Sequence, residues 1–251
     1  MKRLSVVVIT RNEEANLERC LSSVAFADEL IVVDSHSTDG TERIARAYGA
    51  TFETIDWTGF GPAKQAGVDL AHGEWVLSLD ADEALSDSLQ SEIKQVIAAS
   101  DSPDGFYIPR RTSFLGRWIH HCGWYPDYVL RLFRRGKGRF DGAAVHEKVL
   151  VDGTVERLQG ELLHYSYPDL DNYFVKFNRY TTMGALEAYR AGKRAGWYHI
   201  VVKPIASFFV HYVVRQGFRD GLEGFLISVL SSGAVLVKYA KLRDLRRRQE
   251  K

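Results

Sequence analysis

The chain has only two cysteines in 251 residues, Cys20 and Cys122, far apart and in no spacing that frames a disulfide or a metal site. A reducing compartment is therefore expected. His120 and His121 have only Cys122 for company, a spacing poor for tetrahedral ligation, so no zinc is assigned to them. The helix after the first strand carries no G-x-G-x-x-G, and no G-x-x-x-x-G-K-[ST] occurs either. Those absences remove the dinucleotide fingerprint and the phosphate loop. No internal repeat or low-complexity tract is visible. The opening "MKRLSVVVIT" is basic at its start, but its apolar run stops at Arg11 and Asn12 without a small-residue cleavage site. It reads as a first strand rather than a leader.

What is present is a globular composition, 45% hydrophobic and 26% charged, enough for one large domain or one domain with a substantial appendage. The net charge of +1 conceals an asymmetry. Residues 190–251 hold thirteen Lys or Arg against four Asp or Glu, whereas the other 189 residues hold twenty against twenty-eight. The basic tail also contains the longest apolar stretches, a combination that favours an anionic membrane surface over nucleic acid. Its two apolar segments fall short of a span. Lys203 and His211 interrupt the first, and the second runs uninterrupted only from Phe225 to Val237, below the roughly 20 residues a crossing helix needs. Helices lying in the interface are expected, with packing on the body or on another subunit as the alternative.

The first hundred residues alternate strand and helix. "LSVVVIT" precedes helical spacing through Leu17, Cys20, Leu21 and Val24. "ELIVV" precedes a helix opening near Asp39 or Thr41 and stopped at Gly49. "TFETIDW" precedes "GPAKQAGVDLAHG", and "EWVLSLDAD" closes the series. This is the βαβ pattern of a parallel sheet covered on both faces. A further helix carries Leu89, Ile93, Val96 and Ile97 on one face, with Ser86 or Asp87 as its cap. After "DSPDG" the text becomes rich in aromatics, glycine and arginine, as an irregular mixed-sheet half would. From Leu170 it turns helical. The organisation expected is 1–100 as a ligand-binding half, 101–169 as the opposite half of the same domain, and 170–251 as a helical, basic and apolar extension.

Ligands of such sheets sit beyond the carboxyl ends of the strands. Those ends read Thr10-Arg11-Asn12-Glu13, Asp34-Ser35-His36-Ser37, Asp56-Trp57 and Asp80-Ala81-Asp82-Glu83. Converging carboxylates repel one another unless a cation compensates, and Mg²⁺ or Mn²⁺ with substrate phosphates would do so. Lys64 or Arg11 could meet the phosphates. A solvated, capped turn is the plain alternative for "DADE", and turn capping for Asp34.

The stretches "LSVVVITRNEE", "ELIVVDSHSTDGT", Lys64-Gln65 ahead of "GEWVLSLDADE", and "AAVHEKV" together resemble the family 2 inverting glycosyltransferases. The resemblance covers roughly residues 1–165. "DWTGFGPAKQAG" and "LLHYSYPDLDNYFVKFNRYT" are similar to the lipopolysaccharide core branch, which includes the β-1,4-glucosyltransferase acting on an inner-core heptose. It implies a glycosyltransferase A-type α/β fold, a mostly parallel central sheet flanked by helices, with a C-terminal helical membrane-associating extension. It also implies site roles. Thr10, Arg11, Asn12 and Glu13 would hold the nucleotide, and Asp34 would contact base or ribose. Lys64 would meet the donor, Asp80 would lie near the ribose, and Asp82 would carry the metal. His164 would complete the metal shell or touch the diphosphate, and Glu147 would be the catalytic base. Two departures stand out: His36 falls where many relatives carry part of "DDGSTDGT", and Gln65 replaces a more usual Asn.

The function implied is metal-dependent transfer of a hexose, glucose from UDP-glucose first, to a heptose of a lipid-linked core oligosaccharide. The protein would be peripheral on the cytoplasmic face of the inner membrane, with an oligomer left open and no nucleic-acid partner. Trp118, Trp124 and Tyr125 offer flat surfaces for sugar rings, or are ordinary core aromatics. The competitors are a polyprenyl-phosphate, other glycan or protein acceptor, a nucleotidyltransferase, and a non-catalytic membrane-associated protein.

Overall fold

The computed structural model describes residues 3–141 and 147–249, in two compact units. In chain order the elements are β1 (Leu4–Thr10), α1 (Leu17–Ser23), β2 (Glu29–Asp34), α2 (Thr41–Ala47), β3 (Thr51–Thr54), α3 (Phe60–Leu70), β4 (Trp75–Asp80), β5 (Glu83–Leu85) and α4 (Asp87–Ala98). There follow β6 (Gly105–Phe114), β7 (Arg117–Trp118), β8 (Asp127–Arg134), β9 (Gly138–Phe140), β10 (Val149–Val151), β11 (Val155–Arg157), β12 (Leu162–Tyr167), α5 (Leu170–Arg190), α6 (Lys203–Phe209) and α7 (Gly221–Gln249). The first unit comprises residues 1–111 and 127–164, and the second comprises 112–126 and 165–251.

In the first unit every residue of β1 is buried, because helices cover the sheet on both faces. Strand periodicity then sorts its side chains. Val6 and Val8 point into a core with Leu17 and Leu21 of α1, Ala45 of α2, and Leu89 and Ile93 of α4. Val7 and Ile9 point the other way, with Ile31, Val33, and Ala63 and Val68 of α3. The strand order is β3-β2-β1-β4-β8-β6-β12-β5. The first four strands are parallel, whereas β8 runs antiparallel to β4 and to β6. The sheet is thus mixed, a glycosyltransferase A-like arrangement with its parallel half at the N-terminal end of the chain. Ser86 caps α4 as the sequence suggests, its hydroxyl accepting from Leu89 N. The same hydroxyl accepts from Glu161 N and so ties the approach to β12.

In the second unit α5 and α7 pack together. Asp169 caps α5 by accepting from Asn172 N at 2.7 Å. A small core gathers Phe114, Ile119, Cys122, Tyr173 and Ile227, and a second one joins Ala185 and Ala188 to Leu242. The segment Gly217–Gln249, a short turn of helix followed by α7, is long and apolar enough, by length and composition, to cross a membrane. The sequence reading counted only the uninterrupted run between Glu223 and Lys238. The helix continues on both sides of it, and α7 alone is about 43 Å long at 1.5 Å per residue. Not all its cations face outward. Lys241 Nζ donates to Asn178 Oδ1, Thr181 Oγ1 and Thr182 Oγ1 of α5, and Arg246 Nε donates to the Lys193 carbonyl.

The packing of α3 on β1 leaves no room at Gly67, where an added Cβ would lie 2.2 Å from Val7 Cγ1 and 2.9 Å from Val33 Cγ2. Gly67→Ala is expected to lower stability by about 1–3 kcal/mol, read as a lower urea midpoint with unchanged slope.

Candidate functional site

The parallel register sets three chemistry-bearing residues side by side at the carboxyl edge of the sheet. Thr10 pairs with Asp34 across β1 and β2, and Ile9 pairs with Asp80 across β1 and β4. Just beyond that edge lies a cluster of buried charges. Lys64, on α3, is 1% exposed. Its ammonium is 2.9 Å from Asp80 Oδ1 and 2.6 Å from Glu147 Oε1. An unpaired buried ammonium would be strongly unfavourable, so both carboxylates are needed where they are.

Glu147 reaches that point through an anchor on α3. Gln65 Oε1 accepts from Phe140 N at 2.9 Å, which fixes β9, and β9 pairs with β10, two residues beyond Glu147. The departure at Gln65 therefore has a structural use. His146 belongs to residues 142–146 and lies outside the described residues.

Asp80 is held from its other side by Arg131 of β8, whose Nη2 donates to Asp80 Oδ2 at 2.7 Å and to Glu83 Oε1 at 2.9 Å. Arg110 of β6 donates to the same Glu83 oxygen at 3.1 Å and to Asp127. Glu83 accepts from Asp80 N at 3.0 Å, so it steadies the turn after β4, as its place in the sequence suggests. Burial works to raise the Asp80 carboxyl, but Arg131, Lys64 and Arg110 outweigh it and hold it well below the usual carboxylate range. Burial works to lower the Arg131 guanidinium, and Asp80 and Glu83 reverse that. Arg131 and Arg110 are the residues that sequence reasoning missed. The available signal was a lone arginine between Leu130 and Leu132 in an otherwise apolar strand core.

Asp82 and His164 form a separate pair. His164 lies opposite Glu83 where β12 runs antiparallel to β5. This brings His164 Nε2 to 3.3 Å from Asp82 Oδ2, with both side chains largely buried. Among the described residues no group of three or more potential ligands gathers to hold a metal. One carboxylate and one imidazole make a partial shell, suited to a divalent cation whose other positions are filled by substrate oxygens and water.

The first loop is organised as a cradle. Asn12 has φ +54°, its N donates to Ser37 Oγ, and its Oδ1 accepts from Thr38 N. Glu13 N donates to Thr41 Oγ1, and its side chain accepts from Asn16 Nδ2. Asp34 accepts from Ser37 N at 2.7 Å and from the Ser37 hydroxyl, which caps the turn after β2. Thr10 Oγ1 is buried with no hydrogen-bond partner among the described residues, an unmet group at the strand end. Arg11 is exposed. His36, unassigned from sequence, has φ +57° and lies with Nε2 2.8 Å from Asp56 Oδ1. Of the aromatics in the second unit, Trp124 packs on Phe114 and Tyr167, and Trp118 meets Tyr165 edge-on. Trp124 is thus part of a small core.

Removing Arg131 takes one of its two cationic partners from each of two carboxylates, Asp80 and Glu83. Arg131→Met is expected to cost about 3–5 kcal/mol in chemical denaturation. The lowered Asp80 contributes stability that is present above its ordinary value of 3.8 and is lost as pH falls below it. In Arg131→Met that contribution should be smaller, so urea midpoints measured across pH 3–7 should fall less at the acid end than those of the unaltered protein.

The sequence profile described as Glycosyl transferase family 2 matches residues 5–144. The lipopolysaccharide core biosynthesis glycosyltransferase LpsC of Rhizobium meliloti is 33% identical over 95% of this chain and 91% of its own length. An uncharacterized glycosyltransferase of Rickettsia typhi is 30% identical over 98% of this chain and 88% of its own. Among solved structures, S. aureus TarS residues 1–349 aligns over 98% of this chain and 92% of that one, with TM-score 0.49 and 15% identity. Glucosyl-3-phosphoglycerate synthase from Mycobacterium tuberculosis, solved with Mn²⁺, UDP-glucose and phosphoglyceric acid, aligns over 44% of each chain, with TM-score 0.37 and 27% identity.

Proposed function

The chain belongs to glycosyl transferase family 2, and from that membership we propose that it moves a hexose, glucose from UDP-glucose first, onto a heptose of the lipopolysaccharide inner core with inversion. The observation that carries this reading is the buried Lys64 ammonium held between Asp80 and Glu147 at the carboxyl edge of the parallel sheet. The likeness to LpsC along nearly the whole chain supports a core-oligosaccharide acceptor.

In this reading Glu147 is the base that takes the acceptor hydroxyl's proton as that oxygen attacks the anomeric carbon. Lys64 orients Glu147 before the acceptor arrives. Asp80, fixed by Lys64 and Arg131, faces the ribose. Thr10, Arg11, Asn12, Glu13 and Asp34 line the nucleotide, where the unmet Thr10 hydroxyl finds a partner. Asp82 and His164 would hold a divalent cation, Mn²⁺ or Mg²⁺, and the imidazole favours Mn²⁺. Bound there, the cation would neutralise charge on the diphosphate leaving group. The helices of the second unit, with the long apolar α7, would keep the protein on the cytoplasmic face of the inner membrane, where a lipid-linked acceptor lies.

The test combines purified protein, a heptose-containing inner-core acceptor and a panel of nucleotide sugars. Transfer from UDP-glucose giving a β-linked product by NMR is expected. EDTA should abolish it and Mn²⁺ restore it. Asp82→Ala should lower kcat/KM at least about 100-fold, and Glu147→Gln about 100- to 10,000-fold. An α-linked product would contradict inversion. Full turnover by Glu147→Gln would remove it as the base.

A further inference from the structure

The second unit carries an open concavity of about 480 Å³ that serves none of the roles above. His120, His121, Tyr125, Val214 and Arg215 line it. Arg215 is held from its backbone, since its carbonyl accepts from Cys122 N at 3.0 Å. Its side chain lies across Gly123, where an added Cβ would come within 2.4 Å of Nη1 and 2.5 Å of Cδ. Gly123 also has φ +74°, so glycine suits the site on both counts. The guanidinium is exposed and has no hydrogen-bond or ion-pair partner among the described residues.

A carboxylate lies close by, but it is already engaged. Asp220 is 2% exposed. It accepts from His121 Nδ1 at 2.9 Å, from His121 N at 2.7 Å and from His120 N at 3.3 Å. This clamps the His121 ring at Nδ1 and leaves Nε2, which donates to an anion when the ring is protonated, as the nitrogen available to a ligand. The concavity therefore presents a positioned guanidinium fork and an oriented imidazole. That set suits a phosphate, which the fork can meet with two parallel N–H···O bonds.

The surroundings narrow the source of that phosphate. Val214, in the lining itself, is 71% exposed, and Val213, Phe209, Phe218 and Leu222 are each more than half exposed. So much exposed apolar surface in the unit that carries this cationic concavity is unfavourable in water and unneeded for a free anion. Acyl chains would cover it. We propose that this concavity binds the phosphate headgroup of a membrane lipid, with Arg215 and His121 on the phosphate and the Val213–Val214 rim against the acyl chains. The proposal concerns membrane binding and does not depend on the sugar transferred.

The test is flotation of the full chain with phosphatidylcholine vesicles containing phosphatidic acid, against vesicles matched in surface charge with oleate, whose carboxylate offers no phosphate. Arg215→Gln is expected to bind phosphatidic acid vesicles about ten-fold more weakly while its binding to oleate vesicles stays unchanged. Soluble glycerol phosphate should not compete. Unchanged binding of Arg215→Gln to phosphatidic acid vesicles would overturn the proposal. An equal loss on both vesicle types would reduce Arg215 to one more surface charge and overturn it as well. Competition by glycerol phosphate would identify a soluble-phosphate site and overturn the lipid assignment.

Discussion

A buried ammonium between two carboxylates is a demanding arrangement, because each charge removed from water must find its compensation inside the protein. Lys64 meets that demand with Asp80 and Glu147. Asp80 then also holds Arg131, Arg131 holds Glu83, and Glu83 holds Arg110. Removing any member takes a partner from at least one other buried charge. The first unit is built around this chain of pairs: α3 delivers the lysine, β4 one carboxylate, β8 and β6 the arginines, and the approach to β10 the second carboxylate. Such a network fixes geometry more than it adds stability, and fixed geometry is what a group-transfer site requires.

The two halves of the mixed sheet divide that labour. The parallel half brings strand ends into line, so that Asp34, Thr10 and Asp80 share one edge. The antiparallel half supplies counter-charges from strand interiors, where Arg131 sits only 5% exposed. It also carries His164 on β12 to Asp82. The charge-charge cluster and the acid-imidazole pair are thus distinct parts of one edge.

Much of the first unit was legible because periodicity reports burial. The β-branched run of β1, the spacing of Leu89 and Ile93, and the Ser86 cap all appear where the pattern puts them. The acidic strand end was legible for the same reason, since a buried strand ending in carboxylates must deliver them somewhere. The partners of those carboxylates were not legible. Arg131 and Arg110 are some thirty to fifty residues away in sequence, and antiparallel pairing, which no local pattern encodes, brings them in. Glu147 and Lys64 are far apart in sequence, and the anchor from Gln65 to β9 and the packing of Phe140 on α3 help bring them together. The tail was legible in composition but not in detail. Lys241 looks like a surface charge in sequence, yet it is bound by the hydroxyls and carbonyl groups of α5. The length of α7 exceeds what its uninterrupted apolar run suggests, because a helix continues through charged residues that a run count treats as ends.

The central claim is that Lys64 and Glu147 work as one unit, with the ammonium preparing the carboxylate that takes the acceptor's proton. A double-mutant cycle on kcat/KM for sugar transfer tests it, using Lys64→Met, Glu147→Gln and the pair. Coupling predicts that the double variant is no worse than the poorer single variant, because either change alone already disables the unit. Losses that simply multiply would show two residues acting independently and would contradict the account.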